Sequence, residues 1–315
     1  MSGLQYHRIH RGGRWGAHGW WRGLVGLGCL VALVLLVQVL VLIGLTFTYL
    51  AQGLTFDQAE ARMTGDPVTP GFLLAVNLGW ALSIPAVWLV QRVLHGLRPG
   101  WLASILPRIR WRWFAVCMGL SLVALISTIV VSLVIPEQAD GDISGSLNDF
   151  TTTTRDYLLV VILLTPLQAA GEEYVFRGYL TQAIGGFFAS PRLSAVLAVG
   201  VPSLLFALAH GAQDAPIFFD RFAFGVVASV LVILTGGLEA GIAMHVLNNW
   251  LAFGIALAFG DMDSALNPSG GSWWSIPVTL TQSLVYLALA VYVARRMGVR
   301  TSTDRAILEG STPRV

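Results

Sequence analysis

Runs of about 20 apolar residues, separated by short polar segments, recur along this chain of 315 residues. A helix rising 1.5 Å per residue needs about that many to cross the roughly 30 Å hydrocarbon core of a bilayer. The pattern predicts eight such helices, at 23–50, 71–94, 111–135, 156–187, 192–210, 216–235, 238–260 and 273–295. The expected fold is all-α: a polytopic transmembrane helical bundle at 23–295, between a basic tail at 1–22 and a second tail at 296–315. Pro99 to Arg110 reads as a short interfacial segment. Ala139 to Thr154, rich in Gly, Ser, Thr and Asp, reads as a mobile outer loop. Pro166, Gly200 and Pro202 are places where a span can kink. No repeat is strong enough to suggest two transporter halves.

Composition agrees with that reading. With 55% hydrophobic and 11% charged residues, and a mean hydropathy of +0.71, a soluble globular protein is excluded. The net charge of +2 says little, but its distribution says more. The first 22 residues carry Arg8, Arg11, Arg14, Arg22, His7, His10 and His18 and no acid. The apolar run after them is too long for a signal-peptide core, and no small-residue cleavage site follows. Trp15, Trp20 and Trp21 suit a membrane interface, so the arm is expected to anchor at the cytoplasmic surface rather than bind nucleic acid. Arg92, Arg98, Arg108, Arg110, Arg112, Arg192, Arg295, Arg296, Arg300 and Arg305 fall on one side of the eight-span arrangement. Asp57, Glu60, Asp66, Glu137, Asp140, Asp142, Asp149, Asp261 and Asp263 fall on the other. This positive-inside pattern predicts two cytoplasmic termini, in a bacterial-type inner membrane or an organelle membrane. Cys29 and Cys117 lie in apolar runs and are expected to be inert core residues, with no disulfide framework or thiol-rich metal site.

The chemistry begins at Gly171-Glu-Glu-Tyr-Val-Phe-Arg-Gly-Tyr-Leu180, which follows an uncharged run from Tyr157. A charge at the centre of a membrane helix costs about 2.5–3.5 kcal/mol on insertion scales, so two adjacent glutamates call for a reason. Glu173 and Arg177 stand at i and i+4, where they can neutralise each other. Glu172 points about 100° away, as a lone carboxylate in an apolar surround. Such a group is how a general base is made usable near neutral pH. Taken alone, the stretch is also compatible with a buried charge cluster that only locks helices together. Two later spans add polar groups. Phe206-Ala-Leu-Ala-His210 puts a ring one turn before a histidine, and His245-Val-Leu-Asn-Asn249 sets His245 and Asn249 on one face, with Asn248 on another. Three helices each supplying a catalytic-type group form a constellation. Its depth is uneven: Glu172 and His210 lie level across the turn at Ser190-Pro191, but His245 follows Gly236-Gly237 by only 8 residues, about 12 Å. Either the hairpin of the fourth and fifth spans projects beyond the bilayer on the cytoplasmic side, or a span is broken.

Glu172-Glu173-x-x-x-Arg177, Phe206-x-x-x-His210 and His245-x-x-x-Asn249 resemble, in order and in placement on separate helices, the three motifs of the CPBP intramembrane proteases. That family includes the prenyl-protein (CAAX) endopeptidases and the Abi proteins linked to bacteriocin processing or immunity. The likeness covers residues 156–255. It implies hydrolysis of peptide bonds in membrane-associated, sometimes lipidated, proteins or peptides. In the metal-free version Glu172 and His210 activate water, His245 and Asn249 stabilise the oxyanion, and Glu173 and Arg177 fix Glu172. The family is also described as metalloproteases, and in a zinc version Glu172, His210 and His245 would be the three ligands of an open site. Asn249 suits an oxyanion donor better than a zinc ligand, which favours the version with no cofactor. The chain has no His-Glu-x-x-His, no Gly-x-Ser-Gly and no Walker-type loop, so zincin, rhomboid and ATP-driven chemistries fit worse. Ala258-Phe-Gly-Asp261 only approaches the aspartyl Gly-x-Gly-Asp pattern. The competing class is a non-catalytic membrane protein: a transporter, an ion relay or an immunity scaffold using the same groups.

Overall fold

Hydrocarbon offers no partner for backbone N–H and C=O groups, so long apolar runs satisfy them internally as helices. The computed structural model describes residues 3–13, 16–132, 146–211 and 214–304. In it these runs become α1 (Trp20–Ala51), α2 (Pro70–His95) and α3 (Trp111–Ser132). A bent pair follows, α4 (Thr152–Leu163) and α5 (Thr165–Glu173), and a π-helical turn, Tyr174–Leu180, leads from α5 into α6 (Thr181–Phe187). The last four are α7 (Pro191–Leu208), α8 (Ala215–Thr235), α9 (Glu239–Phe259) and α10 (Ser275–Arg296). Among the described residues, seven helices are long and apolar enough to cross a membrane, and the pair Thr152–Leu163 and Thr165–Phe187, bent by 41°, makes an eighth if counted as one broken span. The polytopic helical bundle is therefore as expected. The break falls at Leu164, just before Pro166 in the first turn of α5, where proline supplies no backbone donor. Pro202, by contrast, is accommodated within α7.

The central packing places α5 between α2 and α9, with α9 also against α3 and α8, and α7 against α8. The long α1 lies along α2 and turns Leu35, Leu36, Val39, Leu40 and Phe47 outward. This outward apolar face suits lipid. Cys29 is on it too, exposed, so of the two cysteines expected in the core only Cys117 is buried.

The two chain ends meet at the same end of the bundle, where β1 (Leu4–Gln5) pairs antiparallel with β2 (Ser302–Thr303). Here the structure departs from the expectation of tails. Tyr6, His7 and Ile9 are fully buried. The Tyr6 hydroxyl donates to the Leu102 carbonyl, His10 Nε2 lies 2.7 Å from Gln91 Oε1, and Arg11 donates to the Gly186 carbonyl at 3.3 Å. The first residues thus form a folded cap. In the segment expected as interfacial, Pro99 to Arg110, residues 101–105 are buried, Trp101 and Leu102 fully, while Pro107 and Arg108 are exposed. Ile105 N donates to the Gly236 carbonyl at 3.0 Å. Arg110 then clamps Glu239 through Nε (2.8 Å) and a terminal nitrogen (2.7 Å).

Both features follow from the uneven depth noted in the sequence. Gly178 abuts Leu238, just before α9 begins, so the chain to Phe187 runs about nine residues, roughly 13 Å, beyond that level. Beyond that level the fourth span carries buried polar groups, Thr181 and Gln182 among them. The cap and the 97–105 loop cover them, as when Gln182 Nε2 donates to the Trp101 carbonyl at 2.7 Å.

At the opposite end, Tyr157 donates to the Val68 carbonyl at 2.6 Å and Val68 N to Asp263 at 3.1 Å. The part of the expected mobile loop at 139–145 lies outside the described residues. Beyond it, Asn148 is tied to the Leu257 and Gly260 carbonyls at 3.2 and 2.7 Å. Arginines are also present at this end, so the charge asymmetry is a bias rather than an exclusion. Arg155 pairs with Asp156 at 2.8 Å, and Arg62 lies over the Tyr49 ring at 5.7 Å.

Candidate active site

The polar cluster is assembled where α5, the π-helical turn, α7 and α9 converge. Two glycines permit the approach. A Cβ on Gly171 would lie 2.0 Å from the Trp80 carbonyl oxygen, so its absence lets α5 close onto α2. A Cβ on Gly241 would lie 2.8 Å from Glu173 Oε2, so its absence lets that carboxylate rest against α9.

Glu173 and Arg177, both fully buried, form the expected i,i+4 ion pair at 3.0 Å. The π turn begins immediately after Glu173, a widening of the helix often found at functional sites. The Arg177 guanidinium also lies 4.0 Å from the centre of the Phe206 ring. Phe206 is a hub: its ring meets His210 edge-on at 4.7 Å and His245 at 5.9 Å. The expected contact of Phe206 with His210 is present, and the sequence reading missed the second histidine on the same ring.

Glu173 has a further partner that differs from the expected one. Its Oε1 lies 3.0 Å from His245 Nδ1, so Glu173 orients His245 rather than Glu172. A carboxylate oxygen only accepts, so Nδ1 carries the proton and, in the neutral ring, Nε2 is the acceptor. That Nε2 faces Glu172 Oε2 at 3.7 Å. Glu172 is instead held by Gln168, whose Nε2 donates to Oε1 at 2.5 Å, leaving Oε2 buried and without a hydrogen bond. Asn249 Nδ2 donates to Gln168 Oε1 at 3.1 Å, so Asn249 reaches Glu172 through Gln168. Gln168 was not among the residues singled out from the sequence. Its signal was there: a polar side chain one helical turn before Glu172, inside an otherwise apolar run.

His210 stands two residues past the end of α7 and is exposed. Its Nδ1 lies 2.8 Å from the Phe206 carbonyl, which only accepts, so in the neutral ring Nε2 is left as an acceptor. Glu172, Arg221 of α8 and His245 lie within electrostatic reach of it. A cavity of about 370 Å³ lined by Pro67, Asn148, Asp261 and Asp263 contains none of these residues. Asp261 itself caps the turn at Ser264, with its Oδ1 accepting from the backbone N at 2.8 Å.

One Glu and two His are donors that zinc takes, but Glu172, His210 and His245 are not gathered closely enough to hold it. Among the described residues, no group of three or more His, Cys, Asp or Glu could hold a metal ion. The Nδ1 contacts of His245 with Glu173 and of His210 with a backbone carbonyl leave Nε2 as the free acceptor on each ring, and no step through a metal is derived.

A polytopic helical membrane protein with two buried carboxylates, a buried histidine and an exposed one brought together from three spans is the class that fold and cluster define. Residues 154–251 match the family model described as "Type II CAAX prenyl endopeptidase Rce1-like". This chain therefore carries an Rce1-like domain across the segment that holds all three motifs, and the family resemblance read from the sequence is borne out. The domain implies a CAAX-type intramembrane protease activity. The chain is also 27% identical over 287 residues to "Uncharacterized protein YyaK" of Bacillus subtilis (strain 168), covering 88% of this chain and 93% of that relative. No solved structure matches.

Proposed function

We propose that the protein is an intramembrane endopeptidase that hydrolyses peptide bonds of membrane-associated, lipidated proteins or peptides without a metal. The observation that carries this reading is Glu172 Oε2, buried and without a hydrogen bond, facing His245 Nε2 at 3.7 Å. Glu172 Oε2 and His210 Nε2 are both acceptors, so together they would accept hydrogen bonds from one water and aim its lone pair outward. That water attacks the scissile carbonyl, and Glu172 takes its proton. With a proton on Nε2, His245 would donate to the oxyanion beside Asn249, each such donor in related chemistries being worth about 2.7–4 kcal/mol. Collapse of the intermediate breaks the C–N bond as Glu172 returns the proton to the leaving amine. The loop charges support two cytoplasmic termini, which puts the cap and the projecting end of the fourth span on the cytoplasmic side.

The test is cleavage of a farnesylated, internally quenched peptide ending in a CAAX-type tetrad by detergent-purified protein, compared with Glu172→Gln. Glu172→Gln preserves shape and hydrogen bonding but removes the base, so turnover is expected to nearly vanish while insertion and peptide binding persist. Full cleavage by Glu172→Gln would overturn the mechanism and favour a non-catalytic scaffold or transporter.

A further inference from the structure

Five side chains run head to tail through the bundle and end on Glu172. Thr128 Oγ1 of α3, its one proton shared between the Ala124 carbonyl at 3.2 Å and Gln282 Oε1 of α10 at 3.3 Å, begins the run, and Gln282 Nε2 donates to Asn248 Oδ1 at 3.4 Å. Asn248 Nδ2 donates to Asn249 Oδ1 at 3.5 Å, Asn249 Nδ2 to Gln168 Oε1 at 3.1 Å, and Gln168 Nε2 to Glu172 Oε1 at 2.5 Å. Every amide points the same way. The reason lies at the terminus: an ionised carboxylate has no donor, so Gln168 must turn its NH₂ toward Glu172. Its carbonyl then faces Asn249, which must answer with its own NH₂. Of the links, the two nearest Glu172 are the short ones.

We infer that Gln168 is a positioning residue, which transmits the acceptor character of the Glu172 carboxylate to Asn249 and so makes Asn249 present N–H rather than C=O to the site. This deepens the endopeptidase reading and rests on it for its kinetic consequence. One Asn249 N–H is spent on Gln168, and the second, on the same nitrogen, is left for the oxyanion. Without Gln168 nothing on α5 selects between the two amide orientations, and a flipped Asn249 would set a carbonyl oxygen against the developing negative charge. Gln168 is itself buried (8% exposed), so water does not readily replace it.

The experiment has a spectral arm and a kinetic arm. In protein reconstituted in nanodiscs with ¹⁵N-labelled asparagine side chains, the Asn249 NH₂ signal is assigned by its loss in Asn249→Ala. Glu172→Gln, which can either donate or accept, is expected to shift or split that signal. In a Gln168→Leu background the same Glu172→Gln change is expected to leave it unmoved. An Asn249 signal indifferent to Glu172→Gln, or one that shifts equally without Gln168, overturns the inference. With the farnesylated peptide, Gln168→Leu is expected to lower kcat roughly 10–100-fold with KM within about twofold, less than the roughly 10²–10³-fold loss of an oxyanion donor outright. Gln168→Leu combined with Asn249→Ala should lose clearly less than the product of the two single losses, the remainder reflecting the direct hold of Gln168 on Glu172. An unchanged kcat, or multiplied losses in the double variant, sinks the positioning role. If Gln168→Leu fails to insert, Gln168→Met serves in both arms. Wild-type cleavage by Glu172→Gln would defeat the endopeptidase reading instead, and the spectral arm would still decide the role of Gln168.

Discussion

Arg177→Met is the sharpest perturbation of the buried charge system. Arg177 and Glu173 are both inaccessible, 3.0 Å apart, and none of the three guanidinium nitrogens has an aligned hydrogen bond. The pair is therefore held by charge and by the Phe206 face 4.0 Å away. Removing the cation strands Glu173, and breaking a buried pair in this way typically costs about 3–5 kcal/mol. The lost cation–π contact adds up to about 2 kcal/mol, offset in part by the volume that methionine refills. Glu173→Gln with Arg177→Met removes both charges at once, and neutral replacements of whole buried pairs are often close to isoenergetic. The double variant is expected to recover most of the stability, measured by reversible SDS unfolding followed through tryptophan fluorescence. Turnover should not recover with it. The substituted amide still offers a carbonyl to His245 Nδ1 but no negative charge to sustain an imidazolium. A hydrogen bond to a charged partner is worth about 1.5–3 kcal/mol, so cleavage should stay roughly 10–10²-fold low. Stability losses that simply add in the double variant, or turnover that rises in step with stability, would refute the reasoning.

Asn249→Ala should reduce kcat on the farnesylated peptide roughly 10²–10³-fold with little change in KM, as an oxyanion donor requires; a change confined to KM would contradict it. Exhaustive chelation, checked by elemental analysis, is expected to leave cleavage intact, whereas loss with rescue by added zinc would restore the three-ligand arrangement. Reporters fused after residue 315 and within 1–20 should read the cytoplasmic side and one between Ser146 and Thr151 the far side; a cytoplasmic reading from the latter breaks the topology. Burial holds His7 and His10 at about 4, below the ordinary imidazole value of 6.5, with Arg8 adding to the effect at His7 and Gln91 opposing it at His10. Their folded-state values are depressed, so protonation favours release: the cap is fully stable above about pH 6.5 and weakens progressively as pH falls toward 4. Limited proteolysis at Arg8 and Arg11 should rise across that window, and His10→Gln should flatten the response.

The spans were legible because hydropathy and length are nearly sufficient conditions for a membrane helix, and the three motifs were legible because charge within such a helix stands out. What escaped was anything whose meaning depends on a neighbour. Glu239 gave no signal as the partner of Arg110, since the two are 129 positions apart, yet their clamp fixes the loop at the end of the bundle where the two chain ends meet. Arg8 and Arg11 read correctly as basic but wrongly as part of a tail, because the surface they cover exists only once the fourth span overshoots α9. Cys29 was misplaced for the complementary reason: an apolar run does not say which of its faces lipid takes and which protein takes. Gln168 was overlooked because a neutral amide in an apolar run is cheap enough to pass as interhelical glue.

The role of Glu173 illustrates why spacing alone could not assign partners. Position i+4 correctly gave Arg177, but the same oxygen, Oε1, serves His245 from another helix 72 residues later, while Oε2 lies against the backbone at Gly241. A single carboxylate thus neutralises the one cation of the motif and sets the tautomer of a histidine on a different span. The adjacent glutamates are not redundant: about 100° of helix rotation separates a carboxylate that must stay ionised to hold the architecture from one that is left free to exchange a proton. The motif therefore needs both glutamates in sequence. Placing either one alone would give a neutralised pair without a base, or a base beside a histidine with nothing to orient it.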